Sequence, residues 1–155
     1  MTASETERPM REAQALSALL AKLEAATGPS RELDAAIAVA IFKAAPGMDL
    51  RADAAGEDCE AGTYWLVGPS WRSLATSQRY SESLDAAMTL VPEGWHWALS
   101  QNGEGRPGEH WYAASMCDAE RVTKLAVEEQ LALTPALALV IASIRARLAG
   151  QKEHP

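Results

Sequence analysis

The segment TPALALVIASIRARL, residues 134–148, most constrains what this chain can fold into. Thr134 is suited to cap a helix and Pro135 to occupy its first turn, where the missing N–H costs no hydrogen bond. Apolar residues then recur at helical spacing, at Leu137, Val140, Ile141, Ile144 and Leu148. A long helix with such a stripe has to bury it against other elements of the fold.

Two further helices are predicted near the N-terminus. The first spans about residues 9–26 and has an apolar stripe made of Leu16, Leu19, Leu20 and Leu23. Gly28 suits its stop, and Ser30 can cap a second helix that reaches about residue 44. Because the link is short, the two helices are expected to form a hairpin.

The middle of the chain carries strand patterns. TYWLVGP at residues 63–69 predicts a short strand, and WHWALS at 95–100 pairs with HWYAASM at 110–116 across a turn-rich linker, which predicts an antiparallel hairpin. A short helix is expected between Ser81 and Pro92. Residues 70–80 are interpreted as an ordered loop, whereas residues 118–133 fit either a strand or a helix.

These elements predict one α/β (α+β) domain over residues 1–155. An antiparallel sheet of three or four strands would pack with about four helices, among them the N-terminal hairpin and the long C-terminal helix. A length of 155 residues with 48% hydrophobic residues fits one core. Residues 1–8 and 150–155 are expected to be flexible, and 46–62 to form an acidic loop.

Charge and cysteine content exclude several classes of function. A net charge of −7 argues against general binding of nucleic acid, which needs a concentrated basic surface. Cys59 and Cys117 form no paired motif, so neither a zinc site nor a disulfide framework is predicted. The chain has no signal-peptide pattern, no apolar run long enough for a membrane and no phosphate-binding glycine motif. We therefore expect a cytoplasmic protein without cofactor or membrane contact.

Three blocks of the sequence resemble a family of small, largely uncharacterised proteins of tailed phages and prophages. The blocks are ATGPSRELDAAIA at about residues 25–38, YSESLDAAMTLVPEGWHWALS at 80–100 and LTPALALVIASIRARL at 133–148. The family's usual YTaSLDAA stands here as YSESLDAA. The resemblance implies an α/β sandwich and the cytoplasm of a bacterial host, and it brings no catalytic motif with it.

A shared pattern links the first two blocks. Ser30 precedes Leu-Asp-Ala-Ala in the first block, and Ser81 precedes it at the same spacing in the second. Asp34 and Asp85 could form a carboxylate pair, but a serine cap followed by an acid is also the ordinary preference at a helix start. The structural interpretation is favoured.

The tryptophans mark the candidate ligand-binding residues. Five tryptophans against one phenylalanine is a skewed ratio, and aromatic rings beside arginines can stack on a base or a nucleotide. For Trp95 and Trp97 on the predicted hairpin, a buried face of the sheet is the favoured interpretation. The candidate residues are Trp71, Arg72, Arg79, Tyr80, Trp97 and Trp111.

The sequence thus predicts a non-enzymatic phage or prophage accessory protein. It would bind a small nucleotide-like ligand or a host protein, in a role such as countering host defence. One alternative is a small hydrolase that uses His96, His110 and a nearby glutamate; another is a virion assembly protein, and a homo-oligomer stays open. No metal site is predicted, because the histidines lack ligand spacing.

Overall fold

The computed structural model describes residues 7–42, 47–52, 60–102, 111–118, 126–132 and 134–152. These residues form a single α+β domain with four helices and two small antiparallel sheets, which confirms the predicted fold class. In chain order the elements are α1 Glu7–Glu24, α2 Arg31–Ile41, β1 Asp49–Arg51, β2 Thr63–Val67, β3 Arg72–Thr76, α3 Leu84–Met88, β4 Trp95–Asn102, β5 Trp111–Asp118, β6 Ala126–Ala132 and α4 Pro135–Lys152.

The predicted helix starts are found at the expected serine and threonine. Ser30 precedes α2 in extended conformation, and its side chain accepts a hydrogen bond from the Leu33 N–H at 3.5 Å. Thr134 precedes α4 and accepts from the Leu137 N–H at 3.1 Å. The helices α1 and α2 pack on each other as the predicted hairpin.

Helix α4 lies at the centre of the domain. Every residue from Ala136 to Ile144 is buried, including the polar Ser143, whose hydroxyl donates to the Leu139 carbonyl at 2.8 Å. The sequence predicted an apolar stripe on one side of this helix. Its first half is instead apolar on every side, and other elements of the fold bury it on every side. It contacts α1, α3, β5 and β6, and Arg145 forms an ion pair with Glu24 of α1.

The described strands form two three-stranded sheets, where the sequence predicted one sheet of three or four strands. The first has the order β1-β2-β3 and the second the order β4-β5-β6, with antiparallel neighbours throughout. The second sheet packs on α4, while β2 of the first sheet packs on α2. Because α1 contacts both α2 and α4, the helices connect the two sheets.

Part of the loop predicted at residues 70–80 is an edge strand. Arg72–Thr76 forms β3, in which Leu74 lies opposite Trp65 of β2. A tight turn makes this pairing possible: the Gly68 N–H donates to the Trp71 carbonyl at 2.8 Å. The Trp71 ring lies so close to Gly68 that a Cβ there would come within 2.3 Å of it. Exposed polar residues on an edge strand gave the segment its loop-like sequence.

Other boundaries also differ from the sequence prediction. Asp49–Arg51 of the expected acidic loop forms β1, whereas residues 53–59 lie outside the described residues. Ala126–Ala132 forms β6, so the stretch that fitted either a strand or a helix contains a strand. Helix α4 continues to Lys152, into the segment expected to be flexible, and α1 starts at Glu7 within the other such segment.

Candidate functional site

A hydrogen-bond network joins the start of α2 to the segment that leads into α3. Its members, called the clasp below, are Ser30, Arg31, Asp34, Ser77 and Ser81. The Ser81 hydroxyl accepts from the Ser30 N–H at 3.0 Å and donates to the Ser30 carbonyl at 3.1 Å. One buried hydroxyl therefore satisfies both backbone groups of a residue 51 positions earlier in the chain.

Asp34 lies at the centre of the clasp and is only 1% exposed. Its Oδ1 accepts from the Ser81 N–H at 2.7 Å and its Oδ2 from Arg31 Nη1 at 2.7 Å. Arg31 also donates from Nη2 to the Ser77 carbonyl at 2.7 Å. The guanidinium group rests against Gly62, where a Cβ would come within 2.5 Å of Nη2. Burial of this carboxylate is thus matched by a cation and a backbone donor.

The third block of the resemblance reaches the same place. The Thr134 hydroxyl, which caps α4, donates to the Ser81 carbonyl at 3.3 Å. Ser30, Ser81 and Thr134 come from the three different blocks quoted above. The residues that these blocks contribute here connect α2, α3 and α4, which is a structural role.

The repeated Leu-Asp-Ala-Ala pattern does not produce two equivalent helix starts. Ser83, not Ser81, caps α3 by accepting from the Ala86 N–H at 3.3 Å, and α3 has only five residues. Asp85 in its first turn is exposed, whereas Asp34 is buried with both oxygens engaged. Because both Asp34 oxygens are engaged by Arg31 and Ser81, the first copy of the pattern serves the clasp, while the second begins an exposed helix, which favours the structural interpretation.

Tyr80, one of the candidate ligand-binding residues, belongs to the hydrophobic core. It is 1% exposed and adjoins the clasp. Burial raises the pKa of Tyr80, and the neighbouring Tyr64 and Asp34 raise it further. Its ring is therefore a packing element and has no open surface on which a ligand could stack.

Arg72 lies on the side of the first sheet that faces away from the core, and Trp71 lies in the turn just before it. Tyr64 of β2 packs against the core, and since side chains alternate along a strand, Trp65 faces outward. Leu74 shares this side because it lies opposite Trp65, and so do Arg51 and Arg72 at their register positions. We call Arg51, Trp65, Arg72 and Leu74 the outer face. Trp71 is not one of its members, because its ring lies against Gly68 in the turn before β3.

The outer face combines apolar area with positive charge. Leu74 is 44% exposed, although it is a large hydrophobic side chain. The Arg72 guanidinium carbon lies 4.6 Å from the centre of the Trp65 ring, within cation–π range. Arg51 is the cross-strand neighbour of Trp65 in β1, and Asp49, opposite Val67, adds one acid to the same side. Such a surface suits recognition of a group that is apolar and negatively charged.

The remaining candidate residues do not join this surface. Arg79 is exposed on the connection to α3 and forms an ion pair with Glu82 at 2.9 Å. Trp97 lies opposite Met116 in the second sheet and packs half-buried against the core, as the interpretation of a buried sheet face predicted. Trp111 begins β5 opposite Asn102, and its side chain lies outside the described residues.

Sequence reasoning missed Trp65, Leu74 and Arg51 as site residues. The available signal was the strand prediction for TYWLV, which places Trp65 and Tyr64 on opposite sides, but the stretch is almost wholly apolar and does not show which side is outward. Leu74 gave no such signal, because RSLAT shows its face only once it is paired with β2. Register is a tertiary property, and a single strand does not encode it.

The structure describes only His96 of the two histidines in the hydrolase alternative. His96 is exposed on β4, opposite Cys117 in the backbone register, while His110 lies outside the described residues. Among the residues that the structure describes, no three His, Cys, Asp or Glu side chains are grouped closely enough to hold a metal ion.

Comparison with protein-family models, with curated proteins and with solved structures gives no match for this chain. Within the described ranges, no helix has both the length and the apolar character needed to cross a membrane. The function is therefore inferred from the geometry of the described residues.

The buried phenol of Tyr80 predicts a pH dependence of stability. Because its pKa in the folded state lies above the ordinary value of about 10, the unfolded chain releases this proton first as pH rises. The free energy of unfolding should be unaffected by Tyr80 below about pH 9 and should fall as pH rises through 10 toward the raised pKa. Urea unfolding of the wild type and Tyr80→Phe at pH 7, 9 and 10.5 measures this, and the variant should lose less stability. Equal alkaline losses would contradict the prediction.

Proposed function

We propose that this chain is a non-enzymatic accessory protein of a phage or prophage that acts by binding another protein through the outer face and strand β3. The exposure of Leu74 beside the stacked Trp65 and Arg72 is the observation that carries the proposal, and Trp71 adds an exposed aromatic ring at the turn into β3. Tryptophan and arginine are the side chains most enriched at the energetic centres of protein interfaces. The phage setting rests on the resemblance of the three sequence blocks.

A protein partner fits this surface better than a small nucleotide-like ligand does. Small ligands bind in concave sites that enclose most of their surface, whereas the outer face is one side of a three-stranded sheet. The residues that would have enclosed a nucleotide are also dispersed. Tyr80 is in the core, Arg79 is paired with Glu82, and Trp97 belongs to the second sheet.

Strand β3 gives the partner a backbone to pair with. It is the last strand in the order β1-β2-β3, and most of its residues are exposed, Ser73 and Leu74 among them. An extended segment can add to such an edge through main-chain hydrogen bonds, while alternate side chains contact the sheet face. The partner segment would carry apolar residues against Leu74 and Trp65, and acidic residues near Arg51 and Arg72.

Photo-crosslinking from β3 tests the location of the interface. A photoreactive amino acid at Thr76 should capture one defined partner in cells that carry the phage or prophage, because Thr76 is exposed on β3 and lies on the same side as Leu74. The matched control is the same group at Ser115, which is exposed on β5 of the second sheet. A partner captured equally from both positions, or from Ser115 alone, would place the interface elsewhere.

Reversing the character of one side chain tests the chemistry of the interface. Leu74→Lys should weaken binding of the captured partner at least tenfold, since a hydrophobic anchor at an interface centre contributes about 1–2 kcal/mol or more. Met88→Lys is the control, because Met88 is 42% exposed on α3, away from the outer face. Affinities from biolayer interferometry give the ratio, and thermal unfolding of both variants confirms the fold. In the photo-crosslinking experiment, a product in which two copies of this chain are linked would instead indicate self-association.

A further inference from the structure

A cleft of about 550 Å³ opens between four elements on another part of the molecule. The first turns of α1 and the end of α2 form two of its walls. The residues that lead into β1 and the last turns of α4 form the others. This volume lies within the range of cavities that hold small organic molecules. None of the residues that define the outer face lines the cleft, although Asp49 of β1 lines it and lies on the same side of the first sheet.

Arginines outnumber acids among the residues that line this cleft. Three arginines line it, namely Arg8, Arg11 and Arg147, against the two acids Glu12 and Asp49. The chain as a whole carries a net charge of −7, so a local excess of cations runs against its composition. Arg8 and Arg11 are exposed on α1, and Arg11 lies 3.9 Å from Glu7, an exposed pairing that a bound anion can replace. A site of this sign attracts carboxylates and phosphates.

Arg147 is the fixed member of this group. Its Nη2 donates to the Leu90 carbonyl at 2.8 Å, which holds the guanidinium at the wall of the cleft. Burial lowers the pKa of Arg147, but a guanidinium remains charged at neutral pH. No acidic partner within the described residues is paired with it there. Binding an anion from solution would stabilise this half-buried cation, because partial burial without a counter-ion is electrostatically unfavourable.

The rest of the cleft is apolar. Leu16 of α1 is buried, and the half-buried Val39 and Ile41 of α2 continue the same wall. Phe42 is 48% exposed at its rim, and Met48 lies opposite on the segment before β1. An exposed phenylalanine at the edge of a cavity offers a ring that an apolar ligand can cover.

We propose that this cleft binds a small organic anion with an apolar body, of the class of medium-chain or aromatic monocarboxylates. The carboxylate lies among the arginines and the hydrocarbon part lies against Leu16, Ile41 and Phe42. The charged group of the ligand thus lies among cations and its hydrocarbon part among apolar side chains. The volume of the cleft limits the size of the ligand.

Calorimetric titration with octanoate tests the proposal, with 1-octanol as the uncharged probe of the same chain length. Octanoate should bind at least tenfold more tightly than 1-octanol, because only octanoate reaches the arginines with a charge. Absence of octanoate binding at millimolar concentration, or equal affinity for both probes, overturns the proposal.

Two sets of variants locate the binding. The double variant Arg8→Gln and Arg11→Gln should weaken octanoate binding about fivefold, as expected for two exposed charges of about 0.5 kcal/mol each. Lys22→Gln removes a charge from the far end of α1 and should leave the affinity unchanged. Ala15→Trp fills the cleft from an exposed helix position and should abolish binding of both probes. Unchanged binding in the arginine variant or in Ala15→Trp overturns the assignment.

Discussion

Asp34→Ala is expected to destabilise the protein by about 3 kcal/mol, because it removes the anion at the centre of the clasp. The substitution leaves the Ser81 N–H without its acceptor in a buried position, and an unsatisfied buried donor costs about 1–3 kcal/mol. It also leaves Arg31 without its counter-charge. The loss falls at the lower end of the range for broken buried ion pairs, since Arg31 keeps the carbonyl of Ser77 and is 24% exposed.

Two control variants separate the parts of this effect. Asp34→Asn keeps an oxygen for the Ser81 N–H but removes the charge, so it should cost less than Asp34→Ala. Asp85→Ala removes the equivalent acid of α3, which is exposed, and should cost about 0.5 kcal/mol through the helix dipole alone. Thermal unfolding is a sufficient measurement, because 1 kcal/mol shifts the Tm of a domain of this size by about 2–4 °C. Equal effects of Asp34→Ala and Asp85→Ala would show that the clasp does not stabilise the fold.

The sequence was most informative where structure is set by local chemistry. The caps at Ser30 and Thr134 and the hairpin of β4 and β5 depend on residues close together in the chain, and each was predicted. The short α3 was also predicted between Ser81 and Pro92, but its first residue and its cap were not. Its Leu-Asp-Ala-Ala pattern is the same as that of α2. The Ser81 hydroxyl, however, is hydrogen-bonded to the backbone of Ser30, so Ser83 caps α3 instead. A competing partner 51 residues away is invisible to any local pattern.

The same limit explains how much of the candidate site could be predicted. Trp71 and Arg72 were identified because aromatic and cationic residues in a polar segment are unusual. Arg79 and Tyr80 were grouped with them only because they are close in sequence. Trp71 is exposed in the turn at Gly68, whereas hydrogen bonds of the clasp bury Ser77 and Ser81. Proximity along the chain therefore did not become proximity in space.

Tyr80→Ala is the second substitution with a large expected effect, a loss of about 3–5 kcal/mol in the free energy of unfolding. The ring is among the largest fully buried side chains, and its removal leaves a cavity next to the clasp that the surrounding residues cannot fill. Tyr80→Phe retains the ring and should cost less than about 1.5 kcal/mol at neutral pH. Urea unfolding at pH 7 measures both variants.

Trp71→Ala is the matched comparison for Tyr80→Ala. It removes a larger aromatic side chain from the same stretch of sequence, yet it should cost less than about 1 kcal/mol, since half of the ring is exposed. Its effect should appear in partner binding instead. If Tyr80→Ala left stability nearly unchanged, the ring would not be a packing element, and a ligand role for it would return. Opposite effects of the two substitutions on stability and binding would divide residues 71–80 into a recognition half and a structural half.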